Sequence, residues 1–161
     1  MKHQIIDLRD YPNLLKEAIE YVAQRWGLHR RIFEECITSS MTTTSPLPRW
    51  YLLINGDEII GSYSLMNNDF VSRQDLWPYL SNLYVDEKER GKGLGAVMLE
   101  HARQEAYKLG YNKLYLCTDH INYYEKYGWI HICNGYHTWN RESKIYMIET
   151  GLMQEEQLHN Y

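Results

Sequence analysis

Apolar positions along the chain switch between strand spacing and helix spacing, and the switches mark the elements. Lys2 to Leu8, with Ile5 and Ile6, reads as a first strand, and Asp10 with Pro12 as a helix entry. Leu15, Ala18, Ile19, Val22, Ala23 and Trp26 then share one helical stripe that Gly27 ends. Ile32, Phe33, Cys36 and Ile37 continue as a second short helix. The polar run Thr38 to Ser45 is expected to be a loop, closed by Pro46 and Pro48. Trp50 to Ile54 and Glu58 to Met66, joined through Asn55-Gly56-Asp57, carry the turn chemistry of a β-hairpin, and Asn67 to Pro78 reads as a second polar loop.

The second half of the chain is clearer. Leu80 to Val85 is a short run of β-formers, and Leu94, Met98, Ala102, Ala106 and Leu109 recur every three or four residues as a helix face ended by Gly110. Lys113 to Cys117 follows as a strand, so the unit is a parallel βαβ. Tyr123 to Tyr127 predicts a brief helix stopped by Gly128. Trp129 to Thr138 and Ser143 to Glu149 predict a final hairpin turning at Asn140-Arg141-Glu142, with a polar tail over Gly151 to Tyr161.

Composition narrows the classes. The 161 residues are the size of one domain, 1–161, and 44% hydrophobic content with 15 tyrosines excludes a disordered chain. A formal charge of −4 argues against general nucleic-acid binding. Cys36, Cys117 and Cys133 are odd in number and widely spaced, which makes neither a disulfide framework nor a metal pattern, and they read as buried thiols of a reducing compartment. No stretch has the length of a membrane span and no apolar signal core opens the chain, so a cytoplasmic protein away from membranes is expected.

The chemistry concentrates between the strand and helix of the βαβ unit, at Arg90-Gly91-Lys92-Gly93-Leu94-Gly95. Alternate glycines let backbone approach a ligand closely, and the helix that follows begins with unpaired N–H groups and a partial positive charge. Phosphate suits such a place. The P-loop pattern fits no register here, whereas Gly91, Gly93 and Ala96 fit the dinucleotide fingerprint, with Asp119 beyond as a ribose ligand. That fingerprint puts its glycines directly after the strand, and here Asp86 to Arg90 intervene.

The run LYVDEKERGKGLG, the helix and strand after it, and Tyr123-Tyr124-Glu125-Lys126-Tyr127-Gly128-Trp129 together resemble the GNAT superfamily of acyl-CoA-dependent N-acetyltransferases. The resemblance implies a mixed α/β fold, three layers α/β/α, with a splayed, mostly antiparallel central sheet. It implies acetyl-CoA as co-substrate and no metal. Backbone groups of Leu83, Tyr84 and Val85 would pair with the pantetheine amides as an added strand would. Amides of Arg90, Gly91, Lys92, Gly93, Leu94, Gly95 and Ala96 would hold the pyrophosphate, with the Arg90 and Lys92 side chains free to meet a phosphate.

Acetyl transfer to an amine needs a base for the ammonium, a donor for the oxyanion and an acid for the departing thiolate. By its place in the motif Tyr124 resembles the family's general acid, and strand amides near Leu83 to Val85 would meet the oxyanion. Many relatives carry a glutamate where Asn82 stands, and an amide cannot take a proton, so Asn82 is expected to order a water. Asp119 and His120 are alternative bases, although an aspartate at a strand end is also a helix cap. The acceptor site would be framed by Trp26, Phe33, Glu34, Glu35, Tyr136, His137 and Trp139.

The expected activity is N-acetylation of a primary amine, on a small molecule or a peptide, by direct transfer in a ternary complex. No cysteine sits in a reactive motif that would favour a ping-pong route. The exposed face of the last hairpin could pair two subunits. Two other readings stay open at this point: an acyl-CoA-binding sensor without turnover, favoured by Asn82, and a dinucleotide-dependent oxidoreductase using the glycine turn.

Overall fold

The computed structural model describes residues 2–27 and 29–151; the expected polar tail lies, beyond Gly151, outside them. Among the described residues seven strands run in the order β1-β2-β3-β4-β5-β7-β6, and three α-helices accompany them. The mixed, mostly antiparallel sheet that the resemblance implies is present. The chain divides into two compact units, one taking in residues up to Leu65 with Asn82–Met98, the other Met66–Ser81 with residues from Leu99 on.

In the first unit β1 (His3–Asp7) pairs antiparallel with β2 (Arg49–Asn55), which pairs antiparallel with β3 (Glu58–Met66). The β2–β3 turn falls where the sequence places it, with Gly56 at φ 63°. Helix α1 (Leu15–Trp26) ends on Gly27 at φ 61°, the left-handed C-cap expected of that glycine. Its stripe, with Val22 fully buried, joins Leu8, Ile37, Leu52 and Trp50 in one core. Each large apolar side chain so buried contributes about 1.5–3 kcal/mol.

Helix α2 (Arg30–Thr42) is longer than the sequence suggests, and it absorbs most of the polar run read as loop. The hydroxyls are the reason: Ser40 Oγ donates to the Ile37 carbonyl at 2.6 Å and Ser39 Oγ to the Cys36 carbonyl at 3.2 Å. Serines that return their hydrogen bonds to the preceding turn cover their polarity without leaving the helix. Phe33, Ile37 and Ser40 form its buried face, one residue every three to four.

In the second unit β5 (Lys113–Thr118) runs parallel to the start of β4 (Tyr79–Val85), with Tyr79 opposite Tyr115. β5 pairs antiparallel with β7 (Glu142–Glu149), and β7 with β6 (Ile130–Tyr136). Val71, Tyr79, Tyr115 and Ile145 form the core here, with Cys117, Cys133 and Met147 packed against it. The cysteines are half-buried free thiols, less enclosed than expected.

Helix α3 (Leu94–Lys108) begins in the first unit and ends in the second. Met98, Ala102 and Ala106 are fully buried along it, as the periodicity requires. It also buries Arg103, whose guanidinium meets both carboxylate oxygens of Glu100 and donates to the Thr150 carbonyl at 2.6 Å. A charge this enclosed is tolerated because it is paired and hydrogen-bonded.

Candidate active site

In the first unit the candidate phosphate turn is built as its glycines require. Gly91 and Gly93 sit at φ 79° and 76°, where an L side chain is strained by about 1–2 kcal/mol. A Cβ at either would meet nothing within 4 Å, so these glycines serve backbone conformation and leave the surface open. The Val97 N–H donates to the Gly93 carbonyl at 3.2 Å, which makes Gly93 the N-cap of α3. The amides of Leu94, Gly95 and Ala96 are then the first of the helix and have no partner inside it. This surface suits a pyrophosphate.

The side chains of the turn are less free than the sequence suggests. Arg90 Nε donates to the Val85 carbonyl at 3.0 Å, and its guanidinium lies 5.2 Å from the Tyr84 ring centroid. Lys92 Nζ bonds Glu89 Oε2 at 2.6 Å. The physical cause is local: Glu89 stands three residues before Lys92, and the chain doubles back over the end of β4. Both cations remain at the surface, where such pairs are worth about 0.2–1 kcal/mol.

The end of β4 is shaped by Asn82. This residue adopts φ 55° within the strand, a conformation asparagine tolerates better than most residues, and its Nδ2 donates to Ser64 Oγ at 2.9 Å. Leu83, Tyr84 and Val85 beyond it are half-buried. Tyr84 packs edge-on against Tyr21 and Trp26. A Cβ at Gly61 in β3 would come within 2.9 Å of the Tyr84 carbonyl oxygen, so the glycine permits this close pairing.

In the second unit Tyr124 opens a short 3-10 turn, Tyr124–Tyr127, closed by Gly128 at φ 87°. Its ring touches Tyr123 edge-on at 4.9 Å between centroids and packs on buried Trp129 and Tyr146. Burial pushes its phenol up to about 12, with Tyr123 adding to the rise and the Thr118 hydroxyl opposing it. A phenol in this state holds its proton at neutral pH. Trp129 is buried, whereas Tyr127 is exposed.

Asp119 and His120 do not form the expected cap. Thr118 Oγ1 accepts from the His120 N–H at 3.0 Å and closes the turn, while the Asp119 carboxylate pairs with Arg141. His120 is exposed, its ring tilted against Tyr123. Of the residues expected to frame the acceptor, Phe33 belongs to the core against Trp50, Glu34 and Glu35 are exposed, and His137 stacks on Trp139 at 4.4 Å. Burial raises the Cys117 thiol to about 12, too high for a nucleophile at neutral pH.

The structure adds one group the sequence did not suggest. Asp69, in what reads as a polar loop, is a half-buried carboxyl facing Ser81, and burial lifts its pKa to about 6. No motif surrounds it. Among the described residues no cluster of three or more His, Cys, Asp or Glu could hold a metal ion, and no helix is long and apolar enough to cross a membrane.

A family model described as acetyltransferase (GNAT) family matches residues 33–129. Among solved structures, a GNAT family acetyltransferase from Elizabethkingia anophelis with acetyl-CoA bound is similar at a TM-score of 0.55 and 22% identity, over 72% of this chain and 82% of that one. An aminoglycoside 6'-N-acetyltransferase complexed with coenzyme A is similar at a TM-score of 0.69 and 16% identity, over 93% and 97%. The ribosomal-protein-S18-alanine N-acetyltransferase from Escherichia coli is similar at 0.65 and 19%, over 96% and 97%. At these identities the likeness is one of fold.

Proposed function

The chain belongs to the acetyltransferase (GNAT) family, and from that premise we propose that it acetylates a primary amine by direct transfer while both substrates are bound. It is an acetyl-CoA-dependent acetyltransferase, which sets aside the dinucleotide reading of its glycine turn. The amine and the direct route are the proposal. The same reading takes residues 1–161 as one catalytic domain of a cytoplasmic enzyme.

The observation that carries it is the Tyr124 phenol, packed among aromatic rings beside Thr118 and protonated at neutral pH. Expulsion of a thiolate needs such a proton donor. The unreactive Cys117 thiol supports transfer without an acyl-cysteine stage. In this proposal the amides of Arg90 to Ala96 hold the pyrophosphate of acetyl-CoA, and the main chain of Leu83, Tyr84 and Val85 aligns its pantetheine. Arg90 and Lys92 exchange their weak surface partners for phosphate. Asn82 enters as the residue that turns β4, its side chain engaged by Ser64.

A thermal-shift titration with acetyl-CoA, coenzyme A and NAD, followed by a coenzyme A release assay over a panel of amines, tests this. A ligand at about 100 times its Kd stabilises the fold by about 2.7 kcal/mol. Shifts with both acyl carriers and not with NAD, then turnover with a primary amine, are expected. Stabilisation by acetyl-CoA with every amine inert would refute the amine proposal.

A further inference from the structure

The proposed transfer leaves the amine's proton unassigned. Asn82 cannot accept one, Asp119 is paired with Arg141, and His120 lies exposed at a turn. We infer that Asp69 is the general base, the carboxylate that binds the substrate ammonium and takes its proton; this rests on the amine-transfer reading.

The first observation is how firmly the segment around Asp69 is held. Asn68 Oδ1 accepts from the Val71 N–H at 3.0 Å while its Nδ2 donates to the Val71 carbonyl at 3.1 Å, closing a tight arch over Asp69 and Phe70. Phe70 is carried at φ 54°, a costly conformation for a bulky aromatic. The far side is bonded to the end of β6. Val71 bridges His137, the Ser72 N–H donates to the Tyr136 carbonyl at 2.9 Å, and Ser72 Oγ accepts from the Tyr136 N–H at 3.0 Å. His137 Nδ1 lies 3.1 Å from the Phe70 carbonyl oxygen, so that nitrogen carries the bonding proton. Gly135 allows the approach, since a Cβ there would stand 2.7 Å from Val71 Cγ2.

The second observation is where the arch delivers the carboxyl. It faces Ser81 of β4 and lies in the electrostatic reach of Cys117 of β5 and of His137. Residues alternate across a strand, so Cys117 and Thr118 face opposite sides of β5. Asp69 is grouped with Cys117, and Tyr124 with Thr118. A base on one face and an acid on the other can reach the nitrogen and the sulfur, which leave the tetrahedral carbon of the adduct in different directions. Burial raises the affinity of Asp69 for a proton, which His137 and Ser81 only partly offset, and this brings it toward the pH at which a base works best.

The step balances. The ammonium gives one proton to Asp69, which passes it to solvent. The C–N bond to the acetyl carbon forms as the C–S bond breaks, Tyr124 protonates the sulfur, and the second nitrogen proton shed by the new amide restores the phenol through solvent.

The test compares wild type, Asp69→Asn and Asp69→Glu with whichever panel amine is turned over fastest, at saturating acetyl-CoA across pH 5–9. Acetyl-CoA affinity is measured alongside by calorimetry. Expected are an acid limb near pH 6 in wild type that Asp69→Asn lacks, a fall in kcat of about 10²-fold in Asp69→Asn with unchanged acetyl-CoA affinity, and partial recovery in Asp69→Glu. An Asp69→Asn enzyme within three-fold of wild type, or one that keeps the acid limb, overturns the assignment and leaves amine transfer standing. A wild type that binds acetyl-CoA and acetylates no amine overturns both.

Discussion

The Tyr21 hydroxyl donates a 2.6 Å hydrogen bond to Asp86 Oδ1, and this ties α1 to the residue that follows β4 and leads into the glycine turn. Arg25 completes the arrangement. Its guanidinium carbon lies 3.5 Å from the Tyr21 ring centroid and its Nη2 3.3 Å from the same carboxylate oxygen. Burial and the neighbouring carboxylate raise the Tyr21 phenol far above its ordinary range, so it keeps the proton it donates to Asp86. The entry to the candidate phosphate turn is thus set before any ligand arrives.

Tyr21→Phe removes that donor and leaves Asp86 to Arg25. The loss should be about 1.5 kcal/mol, the lower end for a bond to a charged group, or a Tm lower by roughly 3–6 °C. Steady-state kinetics should show a several-fold higher KM for acetyl-CoA with little change in kcat. An unchanged KM would mean that the turn does not depend on α1.

Tyr124→Phe should lower kcat by about 10²-fold while acetyl-CoA binds as before, because the ring and its packing remain and only the proton is gone. With the wild-type phenol held up to about 12, its acid function should persist through pH 9. A variant with full turnover would remove Tyr124 from the chemistry.

Gly93→Ala places a methyl group in open space but at φ 76°, so its cost is backbone strain of about 1–2 kcal/mol. If the turn shifts to relieve it, affinity for coenzyme A should fall about ten-fold. Gly110→Ala, at φ 94° and also without contacts, should lower Tm by a similar amount and leave that affinity unchanged. Equal affinities in the two variants would argue that the turn does not hold the ligand.

Asp69 also carries a stability signature with a definite sign. Its folded-state pKa of about 6 exceeds the ordinary value of 3.8, so the folded chain binds this proton more tightly than the unfolded one. The resulting stabilisation is complete below about pH 4 and is lost as pH rises to 6. Asp69→Asn should therefore be the more stable protein at pH 7, by an amount of order 2–3 kcal/mol, with the difference closing toward pH 4. Denaturation at both pH values checks this; equal stabilities at pH 7 would mean the carboxyl is better solvated than its surroundings suggest.

The serine-rich end of α2 shows one way local reading fails. Thr38 to Thr42 looks like loop by composition, yet hydroxyls bonded to the helix's own carbonyls and a core waiting for Ser40 keep it helical. The cap expected of Asp119 failed differently, because Arg141, far along the chain, competed for the carboxylate.

What the chain determines by itself is whatever depends on neighbours a few residues apart. The glycine turn, the periodic face of α3, the hairpin at Asn55-Gly56 and the Tyr123–Trp129 motif are all of this kind, since a φ value or a helical stripe is settled within one or two turns. Tertiary structure decided the rest. Asp69 has no local mark; its raised proton affinity comes from burial, which Ser81 and His137, brought to it by two distant segments, only partly offset. Burial is a property of what packs around a group, and that is why a buried acid reads, in sequence alone, as one more polar residue in a loop.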